Sequence, residues 1–296
     1  MQKIILDTDI GDDIDDALAL AFILKSPELD LIGISTVYKN TKLRTKQALS
    51  LLEAYERNDI PVATGVGKPF FEKVDVNEVP CQWSETYADT VYNCDIHGVD
   101  LILQLIKENP EAKLVGIGPL TNIATAIIKE PETMKNVELV LMAGMYSSHY
   151  SEWNIACDPE AARIVFESGL RITMVGLDVT LHCKLDQKDV SDIKGVVDKG
   201  SNLLSEMMTK WEDEVTHLPI LHDPLTIAYL THPHLLTLEK KQLHIECNGE
   251  FTRGMTVDQK DVFYERPLKE SNVTVATNVD YKNFNKLFKK RVFGIN

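Results

Sequence analysis

Lys3-Ile4-Ile5-Leu6-Asp7-Thr8-Asp9-Ile10-Gly11-Asp12-Asp13-Ile14-Asp15-Asp16-Ala17-Leu18-Ala19-Leu20 sets an apolar run, an acidic turn and a second apolar run end to end. The first run, 3–6, is too short for a helix and Ile-rich, which reads as a buried strand. From Asp15 the pattern reads as a helix over 15–24 that opens on aspartates, as helix N-termini favour. The same strand-then-helix unit recurs. Runs rich in Val and Ile at 29–37, 61–66, 113–117, 137–143 and 171–179 read as strands, several apolar on both faces. Helical patterns at 41–57, 99–108, 120–128 and 158–168 fall between them. Such alternation with short links predicts an α/β fold, a mainly parallel sheet flanked by helices. Ligands bind such sheets beyond the carboxyl ends of the strands.

The last third changes character. Residues 186–199 and 202–215 read as helices and 224–230 as a shorter one, followed by a hairpin-like pair at 242–247 and 261–265. A strand at 272–277 and an amphipathic helix at 281–292 close the chain. With no linker, repeat or low-complexity tract, 1–296 is expected to form a single domain. Residues 67–96 are the least regular and are expected to be a loop or lid over the site.

The composition, 44% hydrophobic and 26% charged, is that of an ordinary globular protein. The 45 acids against 31 bases leave a net charge of −14, which gives no counterion-release attraction to phosphate backbones and argues against nucleic-acid binding. The cysteines, Cys81, Cys94, Cys157, Cys183 and Cys247, are odd in number and lack any C-x-x-C, so neither a disulfide framework nor a zinc ribbon is indicated. The longest mainly apolar run, 17–24, is too short to span a bilayer. With no signal peptide visible before residue 3, a cytoplasmic location is expected.

The acidic turn holds six carboxylates in ten residues: Asp7, Asp9, Asp12, Asp13, Asp15 and Asp16. Helix capping accounts for one or two of them. The remainder would repel strongly if partly buried, so a cation is expected there, and carboxylates without nearby Cys or His select a hard one, Ca²⁺ or Mg²⁺. An EF-hand loop is excluded, because Ala17 stands where its last Glu would be. An Asp-x-Asp phosphatase would follow its second Asp with a Gly-Thr or Gly-Val turn, whereas this chain runs on into four more Asp. Far along the chain, His222-Asp223-Pro224 opens the 224–230 helix and supplies an acid beside another carboxylate.

Taken in order, these motifs resemble the nucleoside hydrolases of the inosine–uridine-preferring type. The carriers span nearly the whole chain: Asp7-Thr-Asp9 with Asp15-Asp16, Ser35-Thr-Val-Tyr-Lys-Asn40, His97-Gly98, Gly116-Ile-Gly-Pro-Leu-Thr-Asn122, Leu141-Met-Ala-Gly144, Glu152-Trp-Asn154 with Asp158-Pro-Glu-Ala-Ala162, Gly176-Leu-Asp-Val-Thr180, His222-Asp-Pro224 and Arg253-Gly-Met-Thr256. The resemblance implies a Rossmann-like single domain that hydrolyses the N-glycosidic bond of ribonucleosides with a bound Ca²⁺, giving ribose and a free base. It implies Asp9 as calcium ligand and base toward water, Asp16 and Asp223 as further ligands, and Thr121 as a backbone-carbonyl ligand. By the same resemblance Asp15, Asn40, Glu152 and Asn154 contact ribose, Met142 packs on the sugar, and His97 and His222 lie near the base, His222 as its acid. A homotetramer or homodimer follows from the same resemblance.

Those residue types suit the reaction. Glycosidic cleavage builds positive charge on the ribose, which fixed carboxylates stabilise, and an imidazole can hand the leaving base a proton. The chain departs from the pattern in three places. Asp9 and Asp15 are separated by five residues where the family has three, so Asp12 or Asp13 is available to replace Asp9. Lys39 stands where the family has Gly. The 145–151 stretch lacks the family's Gly-Asn pair and leaves Ser147, Ser148 or Tyr150 as substitutes. Upstream of His222, Met207, Met208, Trp211 and His217 read either as a core stripe or as base contacts. The alternatives are a non-catalytic ribose or nucleoside sensor and a hydrolase of 5′-modified nucleosides.

Overall fold

The computed structural model describes residues 1–261 and 272–295. Its strands are β1 (Gln2–Thr8), β2 (Leu29–Thr36), β3 (Val62–Thr64), β4 (Lys113–Gly116), β5 (Glu138–Leu141), β6 (Arg171–Met174), β7 (Leu236–Lys241), β8 (Leu243–Ile245), β9 (Thr256–Asp258) and β10 (Val273–Val279). The helices of the first half are α1 (Asp15–Leu24), α2 (Thr41–Ala54), α3 (Gly98–Glu108), α4 (Thr121–Lys129), α5 (Pro131–Met134) and α6 (Trp153–Cys157). Those of the second half are α7 (Pro159–Glu167), α8 (Leu177–Thr180), α9 (Gln187–Lys194), α10 (Lys199–Glu214), α11 (His222–Thr231) and α12 (Tyr281–Phe293).

Eight strands form one sheet in the order β3-β2-β1-β4-β5-β6-β10-β7, parallel except for β7, which runs antiparallel to β10. The period of two in β1 explains why its apolar run is unbroken. Ile4 and Leu6 enter the core beneath α1, α11 and α12, while Ile5 enters the opposite core beneath α3, α4 and α7. Helix α1 lies between the sheet and α11, so Ala17 to Ile23 are all buried and the helix has no polar face.

The strand order sets the position of the site. From β1 the chain builds outward through β2 and β3, then returns to place β4, β5 and β6 on the other side. The crevice lies where those directions diverge, between the carboxyl ends of β1 and β4. Asp7, Thr8 and Asp9 end one strand, and Gly116 and Ile117 end the other.

Two expected elements differ. The 171–179 strand stops at Met174, although Val175 still bonds Leu141. The Leu177 N–H then turns onto the Gly144 carbonyl, and Asp178 accepts from the N–H groups of Tyr146 and Ser147, which starts α8 in place of more strand. β8 forms a hairpin with 256–258, through Leu243↔Asp258 and Ile245↔Thr256, where the sequence reading has 261–265 as its partner. Of that expected partner, 262–265 lie outside the described residues. Strand β7 and the short helices α5 and α6 have no counterpart in the sequence reading. Residues 67–96 are irregular as expected, apart from one 3-10 turn at Glu85–Tyr87, but none of them lines the cavity. They brace the acidic turn from outside: the Gln82 N–H donates to the Gly11 carbonyl at 3.0 Å and its side-chain amide to the Asp13 carbonyl at 2.6 Å.

Candidate active site

A cavity of about 660 Å³ opens at the crevice, within the range of small-molecule sites. Its floor is Asp9, Asp15, Asp16 and Asp223; Asp12 and Asp13 stand beside it, and Ile117, Met142, Glu152 and Asn154 form one wall. Leu177, Leu181, Trp211, Val215, His217 and His222 form another, with Met145, Ser148, Tyr150 and Trp153 completing the lining.

The floor is built by short-range bonding from three elements. Thr8 at the end of β1 donates its hydroxyl to Asp16 at 2.5 Å and accepts from the Ile10 N–H at 3.1 Å, locking the start of the turn to the start of α1. Gly11 has φ +127°, and a Cβ there would lie 2.4 Å from Gln47 Oε1 and 2.8 Å from the Pro80 side chain, so only glycine fits. Helix α11 brings in its first turn, where the Asp223 N–H donates to Asp15 Oδ2 at 3.2 Å.

Asp15, Asp16 and Asp223 thus place carboxylate oxygens within 4.8 Å of one another, all three residues buried. Burial, then the neighbouring carboxylates, raise all three acids well above the ordinary carboxylate range. Asp9 is pushed up to about 7 by burial, against the pull of the Arg44 guanidinium. No Lys or Arg lines the cavity among the described residues. An all-oxygen, all-anionic, buried donor set of this kind fits a hard divalent cation, whose charge would offset the repulsion.

The polar wall is locked as tightly. Asn154 donates its side-chain amide to the carbonyls of Ile117 (3.1 Å) and Met142 (3.0 Å), tying α6 to the ends of β4 and β5. Glu152 caps α6: one oxygen accepts from Asn154 N–H at 2.8 Å, the other from Gly144 N–H at 2.9 Å and Ile155 N–H at 3.2 Å. Burial raises its carboxyl despite these bonds.

At the other wall His222 Nδ1 lies 2.7 Å from the Thr180 hydroxyl. Burial, with His217 close by, pushes its imidazole down to about 4, so the ring is neutral at neutral pH. His217 Nδ1 faces the Leu218 carbonyl at 3.1 Å; a carbonyl only accepts, so this nitrogen carries the hydrogen. The ring packs edge-on against Trp211, which is both core and cavity wall, whereas Met207 and Met208 are core without lining the cavity.

The structure brings Asp9, Asp15, Asp16, Met142, Glu152, Asn154, His222 and Asp223 together, and does not bring in Asn40, His97 or Thr121. Each of these three is engaged elsewhere. The Asn40 side chain caps α2 by accepting from the Leu43 N–H. His97 is exposed and caps α3 by accepting from the Val99 N–H. Thr121 is the first residue of α4, with its carbonyl taken by the Thr125 hydroxyl at 2.7 Å and its own hydroxyl donated to Asp158 at 2.6 Å. Lys39 adds no cation to the cavity, because its ammonium pairs with Glu78 at 2.6 Å. Ile117, Leu177 and Leu181 went unread as site residues: apolar side chains at strand and helix ends resemble any core residue. Their signal was position, directly after β4 and around α8, at the carboxyl edge of the sheet.

The chain matches known proteins over nearly its whole length. The family model of the inosine-uridine preferring nucleoside hydrolases matches residues 4–286. The chain belongs to that family. Pyrimidine-specific ribonucleoside hydrolase RihA of Salmonella arizonae is 33% identical, over 98% of this chain and 97% of the relative. Among solved structures, the plant nucleoside hydrolase PpNRh1 superimposes with a TM-score of 0.87 at 30% identity, covering 99% of both chains. A purine-preferring ribonucleoside hydrolase from Gardnerella vaginalis gives 0.85 at 30% identity, covering 99% of this chain and 98% of that one. This chain is therefore a nucleoside hydrolase with the family's fold, and its carboxylate floor is the place to look for the reaction. Among the described residues of the hydrolase, no helix is long and apolar enough to cross a membrane.

Proposed function

We propose that this hydrolase cleaves the N-glycosidic bond of ribonucleosides in a calcium-dependent reaction centred on the carboxylate floor. The observation that carries the calcium reading is the close, buried meeting of Asp15, Asp16 and Asp223 with Asp9 on the same floor and no cationic side chain in the lining. Asp9, Asp16 and Asp223 would hold the ion. Ile117 replaces Thr121 as the backbone contributor, because it is the residue of 116–122 that lines the cavity, and its carbonyl keeps a second lone pair beside the one that accepts from Asn154. When bound, calcium supplies a positive charge that orients a water and lowers its pKa.

Asp9, on the floor beside the attacking water, accepts its proton. Asp15 keeps one oxygen on the Asp223 N–H and offers the other to a ribose hydroxyl. Asn154 and Glu152 fix the far end of the sugar, and Met142 covers its face. The anionic floor stabilises the positive charge that grows on the ribose as the bond breaks. His222, neutral and hydrogen-bonded to Thr180, presents its second nitrogen toward the departing base. Trp211 and His217 form the surface against which the base lies.

Incubation with uridine, cytidine, inosine and their 2′-deoxy forms, following free base and reducing sugar, tests this reading. Ribosides should be cleaved and deoxyribosides disfavoured by about 10⁴-fold, since a site built to bind a hydroxyl rejects the analogue lacking it. Equal cleavage of both series would remove Asp15 and the ion from ribose binding.

A further inference from the structure

The group that holds the acidic turn in shape does not itself reach the cavity. Arg44 projects from α2, and its side chain is wholly buried. Its Nε donates to the Tyr38 carbonyl at 2.8 Å, one terminal nitrogen to the Ile10 carbonyl at 3.0 Å and to the Asp9 carbonyl, and the other to the Asp12 carboxylate at 2.6 Å. A buried guanidinium is tolerated only when its donors are satisfied, and its rigid fork dictates where the acceptors stand.

The acceptors come from two loops. Asp9, Ile10 and Asp12 belong to the turn after β1, which runs through 9–14 between the end of β1 at Thr8 and the start of α1 at Asp15. Tyr38 belongs to the turn after β2, where Tyr38 and Lys39 are held at φ +67° and +54°, a left-handed region that non-glycine residues seldom adopt. Ile10 and Ile14 anchor the two ends of this turn in the core, but the stretch between them, Gly11 to Asp13, has no apolar side chain to fix its shape. One guanidinium bonded to the backbone of Asp9 removes that freedom at the residue where the chemistry is placed.

We propose that Arg44 is a positioning residue: it fixes the Asp9 backbone so that the Asp9 carboxylate stands with those of Asp16 and Asp223, and Asp12 is the counter-charge that allows it to be buried there. The turnover half of this proposal rests on the function proposed above; the metal half does not.

The test is Arg44→Lys, which keeps the charge but cannot span the same carbonyls. Calcium binding to metal-stripped protein is measured by isothermal titration calorimetry, and kcat and KM are measured on a cleaved riboside, all well below the thermal transition. Phe166→Leu, in the core on the opposite face of the sheet, serves as the control for general destabilisation. Calcium affinity should fall about tenfold and kcat about a hundredfold in Arg44→Lys, with KM within about threefold, as small misplacements of reacting groups do. Phe166→Leu should lower the transition temperature and leave calcium affinity alone. Wild-type calcium affinity and kcat in folded Arg44→Lys would overturn the proposal, since a mere counter-charge is served as well by lysine. Equal loss in Phe166→Leu would also overturn it. If Arg44→Lys does not fold, Asp12→Ala decides: a fall in kcat of about tenfold with KM unchanged supports the proposal, and wild-type values overturn it. Should the unaltered protein bind calcium but release no base, the functional reading fails while the calorimetry still scores Arg44.

Discussion

The floor of the cavity and its aromatic wall are built by different rules. The floor hangs on the ends of β1 and β4 and the first turns of α1 and α11, and its residues are buried and cross-bonded through Thr8, Asp16, Asp15 and Asp223. The wall comes from α8, the end of α10, the start of α6 and the loops 145–151 and 215–221, and several of its members are about half in solvent: Trp153 is 59% exposed, Tyr150 55% and Leu181 46%. Groups that must meet a developing charge need fixed positions, whereas groups that merely face a base can sit on elements free to vary. A relative named for pyrimidine ribonucleosides and a solved structure named for purine ones are both similar to this chain over nearly its whole length.

Breaking the floor should have the largest effect. Asp16→Asn is expected to lose bound calcium and turnover together, with kcat lower by about 10³-fold or more, since it removes a ligand and leaves Thr8 facing an amide. Elemental analysis of the purified variant checks the metal; full calcium content would take Asp16 out of the ligand set. At the junction of the two regions, His222→Ala should slow inosine by about 10²–10³-fold, in the range of a single hydrogen-bond donor aimed at the charge that develops on the departing base. A riboside with an activated leaving group should be slowed much less; equal slowing would deny His222 that role. On the wall, His217→Ala should change KM by no more than about tenfold and differently for purine and pyrimidine ribosides, one hydrogen bond's worth, while calcium binding stays unchanged.

The floor also carries a pH signature. Asp9 on the floor and Asp7 beneath it are raised by burial to about 7 from an ordinary value of 3.8, and burial with neighbouring carboxylates raises Asp15, Asp16 and Asp223 well above that ordinary value. A carboxyl raised in the folded state ionises first in the unfolded chain. Its contribution to stability is therefore complete at low pH and lost as pH climbs from about 4 toward its folded value. Metal-free protein should show a falling transition temperature between pH 5 and pH 7.5, and added calcium should reverse the fall. A metal-free transition that rises over that interval would mean the acids are not buried as described.

Much of this was legible in the sequence, and the illegible part has physical causes. The alternating pattern from Lys3 to Ser168 carries the parallel sheet because strands buried on both faces leave unbroken apolar runs. The acidic turn was equally plain, since like charges gather at a strand end only with something to balance them. The motif residues Asn40, His97 and Thr121 stand where their motifs put them, but each is occupied as a helix cap or first-turn residue, and spacing alone does not show which partner a side chain has taken. Arg44 gives no signal in the sequence: an arginine two residues from Lys42 and two from Lys46 looks like part of a charged helix surface until the fold turns it inward. The strand expected to end at Val179 failed because β-branched residues continued past the point where Asp178 and Gly176 redirect the backbone.

The central claim is that the carboxylate floor works through a bound calcium ion. The direct measurement is release of free base from uridine and inosine by protein stripped with a strong chelator, then titrated back with calcium or magnesium. Activity should vanish on stripping and return with about one calcium per chain, magnesium restoring far less, because the smaller ion wants a rigid octahedron and holds its waters. Full activity in protein shown by elemental analysis to be free of metal would contradict the account.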